Sequence, residues 1–236
     1  MSVAARLLDI TKTYQVGTVE VPAVRGVSLE VEAGAFLSMA GPSGSGKTTL
    51  LNLLGALDTP TSGAIWVGGQ AIGGLSSKDL ADFRNTHLGF VFQTFNLVPV
   101  LTVRENVELP LQLHGITDKG DRKQRVERLL REVGLGDLMD RRPAELSGGQ
   151  QQRVAVARAL VKNPTLVLAD EPTANLDSHT AGEIMALMQS MNEKFGTTFV
   201  FSTHDPLVME HATRLVRLRD GLIESDEQIE RGHHVV

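Results

Sequence analysis

A glycine-rich segment at 41–48, with the pattern Gly-x-x-x-x-Gly-Lys-Thr, constrains the fold of this 236-residue chain more than any other feature. An apolar run at 36–40 precedes it and a helix-like stretch at 49–57 follows it. A strand–loop–helix unit of this kind holds phosphate, because glycines let backbone N–H groups converge on the oxygens and the helix adds its positive N-terminal end. Lys47 can then reach the β- and γ-phosphates, and the Thr48 hydroxyl can ligate Mg²⁺.

A second acidic motif follows another apolar run. Residues 166–169 read as a buried strand that ends in Asp170-Glu171. Asp170 at such a strand end can hold Mg²⁺ through water, and Glu171 can orient and deprotonate an attacking water. Alone, the pair fits an ordinary strand-terminal turn equally well. Together with the glycine-rich segment it indicates the second half of a nucleotide site.

The third motif is Leu146-Ser147-Gly148-Gly149-Gln150, which precedes a good helical stretch at 151–160. By average composition this pentapeptide arises by chance in roughly a few chains per ten thousand. It places a serine and two glycines at a helix N-terminus, where an anion can bind. Ser147 acting only as a helix N-cap is compatible with the same geometry.

The remaining pattern indicates an α/β fold. Strand-like runs at 27–32, 65–67, 198–202 and 215–218 alternate with helical segments, including one at 178–194 with Ile184, Leu187, Met188 and Met191 on its core side. Strands that alternate with helices favour a parallel sheet. From Thr102 to about Asp140 the spacing is helical throughout, which predicts an inserted helical subdomain.

One helix of that subdomain, at 119–133, carries several basic residues around an apolar stripe. These residues could form a phosphate-binding patch or a solvated helix face. The solvated face is the favoured interpretation, because charge runs on amphipathic helices usually face water.

Composition excludes several classes. There is no cysteine, which removes thiol chemistry, zinc–thiolate sites and redox switches. The 23 basic and 28 acidic residues give a net charge of −5, and aromatic residues make up 4% of the chain, so a general nucleic-acid binder is not expected. No apolar run approaches the roughly 20 residues that span a bilayer, and residues 1–10 do not read as a secretory signal. We therefore expect a cytoplasmic protein unless a partner holds it at a membrane.

Over essentially its whole length the sequence resembles the ATP-binding cassette (ABC) ATPases, with the three motifs in the family's order at 41–48, 146–150 and 166–171. The resemblance implies a P-loop NTPase core with a RecA-like parallel sheet and an N-terminal antiparallel β-subdomain. It also implies a single nucleotide-binding domain over 1–236, with the helical subdomain at about 94–160 and a short polar tail from about 225. The tail's His233-His234 pair is too short to indicate a metal site.

The resemblance also assigns roles to residues that would otherwise be taken as structural. Gln93 matches the glutamine that contacts Mg²⁺ and the attacking water, and His204 matches the histidine that hydrogen-bonds the γ-phosphate. Tyr14 matches the aromatic residue that stacks on adenine, and Asp177 lies in a loop that crosses a dimer interface. The implied catalytic residues are Glu171, His204, Gln93 and Lys47, and the implied metal ligands are Thr48, Gln93 and Asp170. The implied ATP-binding residues are Tyr14, Gly41, Pro42, Ser43, Gly44, Ser45, Gly46, Lys47, Thr48, Thr49, Gln93, Ser147, Gly148, Gly149, Gln150, Asp177 and His204.

Segments at 21–29, 52–63, 92–99 and 102–107 look like one branch of the family, which contains lipoprotein-releasing, macrolide-exporting and cell-division ATPases. Ala40 and Ala174 depart from residues common there, and neither departure touches a catalytic role. The branch implies ATP with Mg²⁺, a second copy bound head-to-tail, and a permease with few membrane spans and a large extracytoplasmic domain, without nucleic acid. The cassette would then sit on the cytoplasmic face of the membrane.

Several alternatives remain open. Residues 94–113 would form the groove for a cytoplasmic helix of the permease, or the core of the helical subdomain, and both can hold for different residues. The ATP cycle could drive export or relay force to an extracytoplasmic partner without transport. An ABC protein acting on ribosomes or DNA is disfavoured by the single cassette and the negative charge. An inactive scaffold is disfavoured because Lys47, Asp170, Glu171 and His204 are all present.

Overall fold

The computed structural model describes residues 2–229. Their strands are β1 (Val3–Val16), β2 (Val19–Glu32), β3 (Phe36–Ala40), β4 (Ser62–Val67), β5 (Gln70–Ala71), β6 (Leu88–Phe92), β7 (Leu166–Asp170), β8 (Thr198–Thr203), β9 (Arg214–Arg219) and β10 (Leu222–Gln228). Their helices are α1 (Lys47–Leu54), α2 (Ser77–His87), α3 (Val103–Leu113), α4 (Lys119–Glu132), α5 (Gly148–Leu160), α6 (Ser178–Phe195) and α7 (Pro206–His211). None of the helices within 2–229 is both long and apolar enough to cross a membrane.

A six-stranded sheet forms the centre of the molecule, in the order β10-β9-β3-β8-β7-β6. Strands β9, β3, β8, β7 and β6 pair in parallel, and β10 joins β9 antiparallel. The predicted α/β class with a parallel sheet is therefore confirmed. The carboxyl ends of parallel strands meet at one edge, which is where such sheets bind ligands. Ala40, Asp170 and Thr203 all end their strands at this edge.

Hydrophobic side chains cover both faces of this sheet. Strand β8 is buried throughout, with Phe199 and Phe201 in the core on one face and Val200 in the core on the other. A strand buried on both faces reads as a continuous apolar run, as parallel strands usually do. One core is shared with helices α3 to α6, and the other with α1, α2 and the N-terminal sheet.

The N-terminal sheet is antiparallel, in the order β2-β1-β4-β5. Val27, Leu29 and Val31 point inward while their neighbours are exposed, so the alternation predicted at 27–32 is confirmed. The strand begins earlier than predicted, at Val19, because its first half pairs with β1 without needing a buried face.

Helices α3, α4 and α5 form the inserted helical part, which confirms the predicted helical stretch. The basic residues of α4 mostly pair with carboxylates: the Arg122 Nε–Glu108 Oε1 distance is 2.7 Å, and Arg125 Nε lies 2.8 Å from Asp121 Oδ1. Arg131 contacts Glu127 at 3.1 Å. These pairs favour the solvated-face interpretation of the helix.

The predicted start of the polar tail, Ser225, is wrong. Strand β10 continues through Gln228, paired with β9, and Arg214 Nη2 lies 2.6 Å from Asp226 Oδ2. An edge strand exposed on one side can be polar, because its pairing depends on backbone hydrogen bonds. The rest of the predicted tail, including His233-His234, lies outside the described residues.

Candidate nucleotide-binding site

The loop between β3 and α1 is shaped by its glycines. Gly46 has φ of 100°, and a Cβ there would lie 2.6 Å from the carbonyl oxygen of Ala23. At Gly41, where φ is 152°, a Cβ would lie 2.2 Å from the Leu218 oxygen. Both positions therefore require glycine, because any side chain would meet fixed backbone. The loop is held between β2 on one side and the β9–β10 connection on the other.

A cavity of about 650 Å³ opens above this loop. It gathers residues from four strand ends, as the edge of a parallel sheet allows. Its lining contains the predicted residues Pro42, Ser43, Gly44, Ser45, Gly46, Lys47, Thr48, Thr49, Gln93, Glu171 and His204. It also contains Val21, Pro22, Ala23 and Ala174, which sequence reasoning did not assign to the site. For Val21, Pro22 and Ala23 the only sequence signal was membership of the family-like segment 21–29, and Ala174 was noted only as a departure from a residue common in the branch.

Lys47 is buried at the start of α1, with its ammonium turned back onto the loop. Its Nζ donates to the carbonyl oxygens of Gly41 at 2.7 Å and Pro42 at 2.9 Å. Burial lowers the pKa of Lys47, while the negative charges of Glu171 and Asp170 oppose that shift. The cation is thus placed beside the cavity with two nearby carboxylates.

Asp170 lies behind the loop rather than in the cavity lining. The Thr48 hydroxyl donates to Asp170 Oδ1 at 3.3 Å. A hydroxyl and a carboxylate oxygen side by side are the hard ligands that Mg²⁺ prefers, and Mg²⁺ commonly takes one or two protein oxygens plus phosphate and water. The residues present therefore fit a magnesium ion.

Glu171 follows β7 with φ of 45°, an uncommon conformation for a residue with a side chain. Its carboxylate is held by two partners: His204 Nδ1 lies 2.6 Å from Oε1, and the Thr203 hydroxyl donates to Oε2 at 3.2 Å. Its backbone N–H donates to Ser202 at 2.9 Å. Strands β7 and β8 thereby bring Glu171 and His204, 33 positions apart, to one point of the cavity.

Gln93, directly after β6, reaches the loop that follows β7. The Asn175 amide donates to the Gln93 carbonyl oxygen at 3.0 Å, and Gln93 Nε2 lies 3.5 Å from Asn175 Oδ1. This contact joins the loop that begins at Gln93 to the loop that leads to Asp177. Gln93 itself remains exposed toward the cavity.

Tyr14 lies beside the cavity without lining it. The Tyr14 hydroxyl donates to Asp58 Oδ2 at 2.8 Å, and Lys12 Nζ lies 4.9 Å from the ring centroid. Burial and the bond to Asp58 raise the pKa of Tyr14. Its strand partner Val21 does line the cavity, so the ring is at the rim.

The signature residues Ser147 to Gln150 lie outside the cavity. Ser147 caps α5, accepting from the Gln150 N–H at 3.3 Å, while the Gln150 side chain accepts from the Ser147 N–H at 2.9 Å. Asp177 likewise caps α6, and a Cβ at Gly149 would lie 2.5 Å from Thr180 Cγ2. The two helix N-termini are therefore packed together. The other predicted site residues that do not line the cavity are Gly41, Asp170, Tyr14 and Asp177.

The sequence pattern that defines the ABC transporter family matches residues 24–174, well over half of the chain. The chain belongs to the ABC transporter family. It is an ATP-binding cassette ATPase, which confirms the assignment made from the three motifs. The match begins in β2 and ends just after Glu171, so it spans the nucleotide-binding loop, the inserted helices and the signature.

Relatives of this ABC ATPase include proteins of the predicted branch. The "Macrolide export ATP-binding/permease protein MacB" of Syntrophobacter fumaroxidans is 50% identical over 222 residues, which cover 93% of this chain and 31% of that protein. The chain therefore spans about a third of that relative. The "Lipoprotein-releasing system ATP-binding protein LolD" of Anaeromyxobacter dehalogenans is 48% identical, covering 93% of this chain and 92% of that protein. An "Uncharacterized ABC transporter ATP-binding protein" of Thermotoga maritima is 49% identical, covering 97% of both.

Solved structures of the ABC cassette MJ0796 resemble this ATPase along nearly its full length. One is described as a dimeric post-hydrolysis state bound to ADP and Pi, and another as a dimeric structure of the cassette. Each has a TM-score of 0.87 and 43% identity, covering 96% of this chain and 99% of that chain. This agreement confirms the P-loop core with its antiparallel and helical subdomains.

Proposed function

We propose that this ABC ATPase is the energising subunit of a membrane transporter and closes as a head-to-tail homodimer around two ATP molecules. One observation carries the proposal: the cavity holds the loop, Gln93, Glu171 and His204, while the helix N-terminus at Ser147 faces elsewhere. One chain thus supplies two separated parts of an anion site. A second copy turned head-to-tail would bring its Ser147, Gly148 and Gly149 to the open side of the cavity. The structures described as dimeric for MJ0796 support the formation of a dimer.

Within each site, we assign the residues as the resemblance implies. The backbone of 41–48 and Lys47 hold the phosphates, and Tyr14 stacks on adenine. Glu171 orients and deprotonates the attacking water, and His204 and Gln93 contact the γ-phosphate and the water. Thr48, Gln93 and Asp170 hold Mg²⁺, which when bound neutralises charge on the phosphates. Catalysis then rests mainly on positioning and charge stabilisation.

The ATP cycle follows from this division of the site. ATP promotes closure because it contacts both copies, and loss of the γ-phosphate removes contacts that hold them together. In the structure Glu171 is held by His204 and Thr203. Binding of the γ-phosphate would give His204 a second acceptor beside that carboxylate.

We also propose a permease-binding face on the helical subdomain, with residues 1–236 acting as one nucleotide-binding domain on the cytoplasmic face of the membrane. In the segment 94–113, Val103, Val107 and Leu111 are fully buried, whereas Val100 is 74% exposed and Leu113 is 70% exposed. The first group is core and the second is free to contact a partner. The burial pattern supports the proposal that residues of both kinds occur in this segment.

The ATPase assignment is tested by Glu171→Gln. We expect turnover to fall about 10²–10⁴-fold, since the water loses its general base, while ATP binding persists and the dimer accumulates with ATP. Lys47→Ala serves as the contrast, because it should weaken ATP binding itself. Steady-state ATPase assays, calorimetric titration and sedimentation velocity measure these effects. Wild-type turnover by Glu171→Gln would overturn the role of Glu171.

The transporter assignment is tested by a pull-down with tagged Glu171→Gln protein and ATP from a detergent extract of the native cell. Co-purification of a membrane protein with a large extracytoplasmic domain is the expected result. A membrane partner without transport activity in reconstituted vesicles would favour force relay instead. Recovery of ribosomal or DNA-bound proteins alone would refute the transporter assignment and leave the ATPase assignment standing.

A further inference from the structure

Asp58 is the centre of a small polar cluster beside the nucleotide cavity. Its Oδ1 accepts from Lys12 Nζ at 2.6 Å and from the Thr59 N–H at 2.7 Å. Its Oδ2 accepts from the Tyr14 hydroxyl at 2.8 Å. Burial favours the neutral acid, but the bonds from Lys12 and Tyr14 outweigh it and lower the pKa of Asp58. The carboxylate is therefore charged at neutral pH, and both of its oxygens accept hydrogen bonds.

This cluster connects the two ends of the nucleotide site. Asp58 comes four residues after α1 ends, and α1 begins at Lys47 in the phosphate-binding loop. The Thr49 side chain, which lines the cavity, opposes the rise in the pKa of Tyr14, so it lies near the Tyr14 hydroxyl. The aromatic ring is thus tied to the segment after α1 through Asp58.

Lys12 completes the arrangement from above the ring. Its ammonium lies 4.9 Å from the Tyr14 ring centroid while bonded to Asp58 and to the Thr59 oxygen. A cation at that distance occupies one face of an aromatic ring. A flat ligand such as a nucleobase would then stack on the opposite face of Tyr14.

We propose that Asp58 is a positioning residue. It fixes the Tyr14 ring, which has Lys12 on one face, so that the base-binding end of the site keeps a constant position relative to the phosphate-binding loop. This inference rests on the proposed nucleotide site and adds a residue that none of the three motifs contains. Asp58 acts through Tyr14 and touches neither the phosphates nor the reacting water. Its loss should therefore weaken binding of the base without affecting binding of the phosphates.

The test compares ADP with inorganic pyrophosphate, which lacks a base, by calorimetric titration with Mg²⁺ on the full chain. Asp58→Asn is suitable because it removes the negative charge and replaces one acceptor oxygen with an NH2 donor, so Lys12 and Tyr14 can no longer both donate to carboxylate oxygens. We expect Asp58→Asn to raise the Kd for ADP about tenfold, as expected for loss of a hydrogen bond to a charged group, and to leave the Kd for pyrophosphate within about twofold. Tyr14→Phe should behave the same way, and combining the two changes should add little further loss.

A matched control separates positioning from simple stabilisation of the loop. Thr11→Val removes the 2.7 Å contact between the Thr11 and Ser62 hydroxyls. This contact joins β1 to the end of the segment between α1 and β4, which contains Asp58, without touching Asp58 itself. It should lower thermal stability but leave both Kd values unchanged. Equal effects of Asp58→Asn on ADP and pyrophosphate, or no effect on ADP while Tyr14→Ala weakens it, would overturn the inference. If the wild-type protein bound neither ADP nor pyrophosphate, the proposed nucleotide site would be overturned, and this inference with it.

Discussion

At the scale of single residues, the contacts around Glu171 show how a hydrogen bond from one hydroxyl can fix the position of a carboxylate. Thr203 is fully buried, and its Oγ1 accepts from the Asp205 N–H at 3.0 Å. The hydroxyl proton is then directed to Glu171 Oε2, 3.2 Å away. His204, with a side chain 71% exposed, holds the other oxygen of the carboxylate. The buried contact is thus the more rigid of the two.

We predict that Thr203→Val lowers kcat for ATP about tenfold, as expected when one hydrogen bond that positions the base is lost. The KM for ATP should stay within about twofold, because Thr203 does not line the cavity. Thr203→Ser keeps the hydroxyl and should restore most of the activity. If Thr203→Ser is as impaired as Thr203→Val in ATPase assays, the methyl packing matters rather than the hydroxyl.

Lys162 gives a pH-dependent prediction. Burial lowers its pKa from 10.5 to about 8, while Nζ donates to the Asn85 oxygens and lies 3.5 Å from the Leu88 oxygen. Between these two pH values the unfolded chain binds more protons than the folded one. The contribution of Lys162 to the free energy of unfolding therefore rises with pH across that interval. The free energy of unfolding of the wild type, relative to Lys162→Met, should therefore increase from pH 8 to about pH 10.

Urea unfolding of both proteins at several pH values measures this difference. At pH 6 to 7.5 the difference should be constant, because Lys162 is charged in both states there. A difference that stayed flat up to pH 10 would show that the hydrogen bonds from Nζ keep the ammonium charged in the folded protein.

At the scale of elements, the contact between β6 and α5 depends on one small residue. A Cβ on Gly89 would lie 2.5 Å from the carbonyl oxygen of Ala159. Helix α5 begins at the signature and packs on β6, which leads to Gln93. The close approach therefore sets the distance between the signature helix and the strand that carries Gln93.

We predict that Gly89→Ala destabilises the protein by about 1–3 kcal/mol, the usual cost of overpacking a tight contact. Gly73→Ala is the control, since a Cβ there meets nothing within 4 Å and its φ is not positive. Chemical denaturation of both variants measures the cost. Equal stability of Gly89→Ala and Gly73→Ala would mean that α5 can move away from β6 freely.

Several elements that the sequence pattern did not predict have weak local signals. Helix α2 buries only Phe83, and α7 is six residues long, so neither has the repeated apolar spacing that predicts a helix. Strand β6 is short and lies at the sheet edge, where a five-residue apolar run does not distinguish strand from helix. The second half of strand β10, from Ser225, is polar and therefore reads as a tail in the sequence.

At the scale of the whole molecule, the head-to-tail dimer predicts complementation between inactive variants. Lys47→Ala damages the cavity, and Ser147→Arg damages the surface offered to the other copy. A mixed dimer would contain one intact site, formed by Lys47 of one chain and Ser147 of the other. Random mixing of equal amounts should then restore about a quarter of the wild-type sites, since half of the dimers are mixed and each has one intact site of two.

ATPase assays on the mixture measure this recovery, provided that each variant alone is inactive. Lys47→Ala mixed with Glu171→Gln is the matched control, because both residues belong to the same cavity and no mixed dimer has an intact site. Recovery in the control but not in the first mixture would contradict the head-to-tail arrangement.

The chemistry of three contiguous segments can be predicted from the sequence. The loop at 41–48, the pair Asp170-Glu171 and the cap at Ser147 were all predicted, and the structure places each on the predicted kind of element. These features depend on local geometry: glycine conformations, a strand end and a helix N-terminus are set by neighbouring residues. The family and the ATPase activity followed from their order along the chain.

Which of these residues meet depends on the tertiary fold. Parallel pairing of β3, β8, β7 and β6 brings Lys47, Gln93, Glu171 and His204 to one sheet edge, although they span more than 150 positions. The same folding adds Val21 to the cavity, ties Tyr14 to Asp58 and turns Ser147 away. Such contacts depend on strand order and register, which are long-range properties that a local pattern of side chains does not encode.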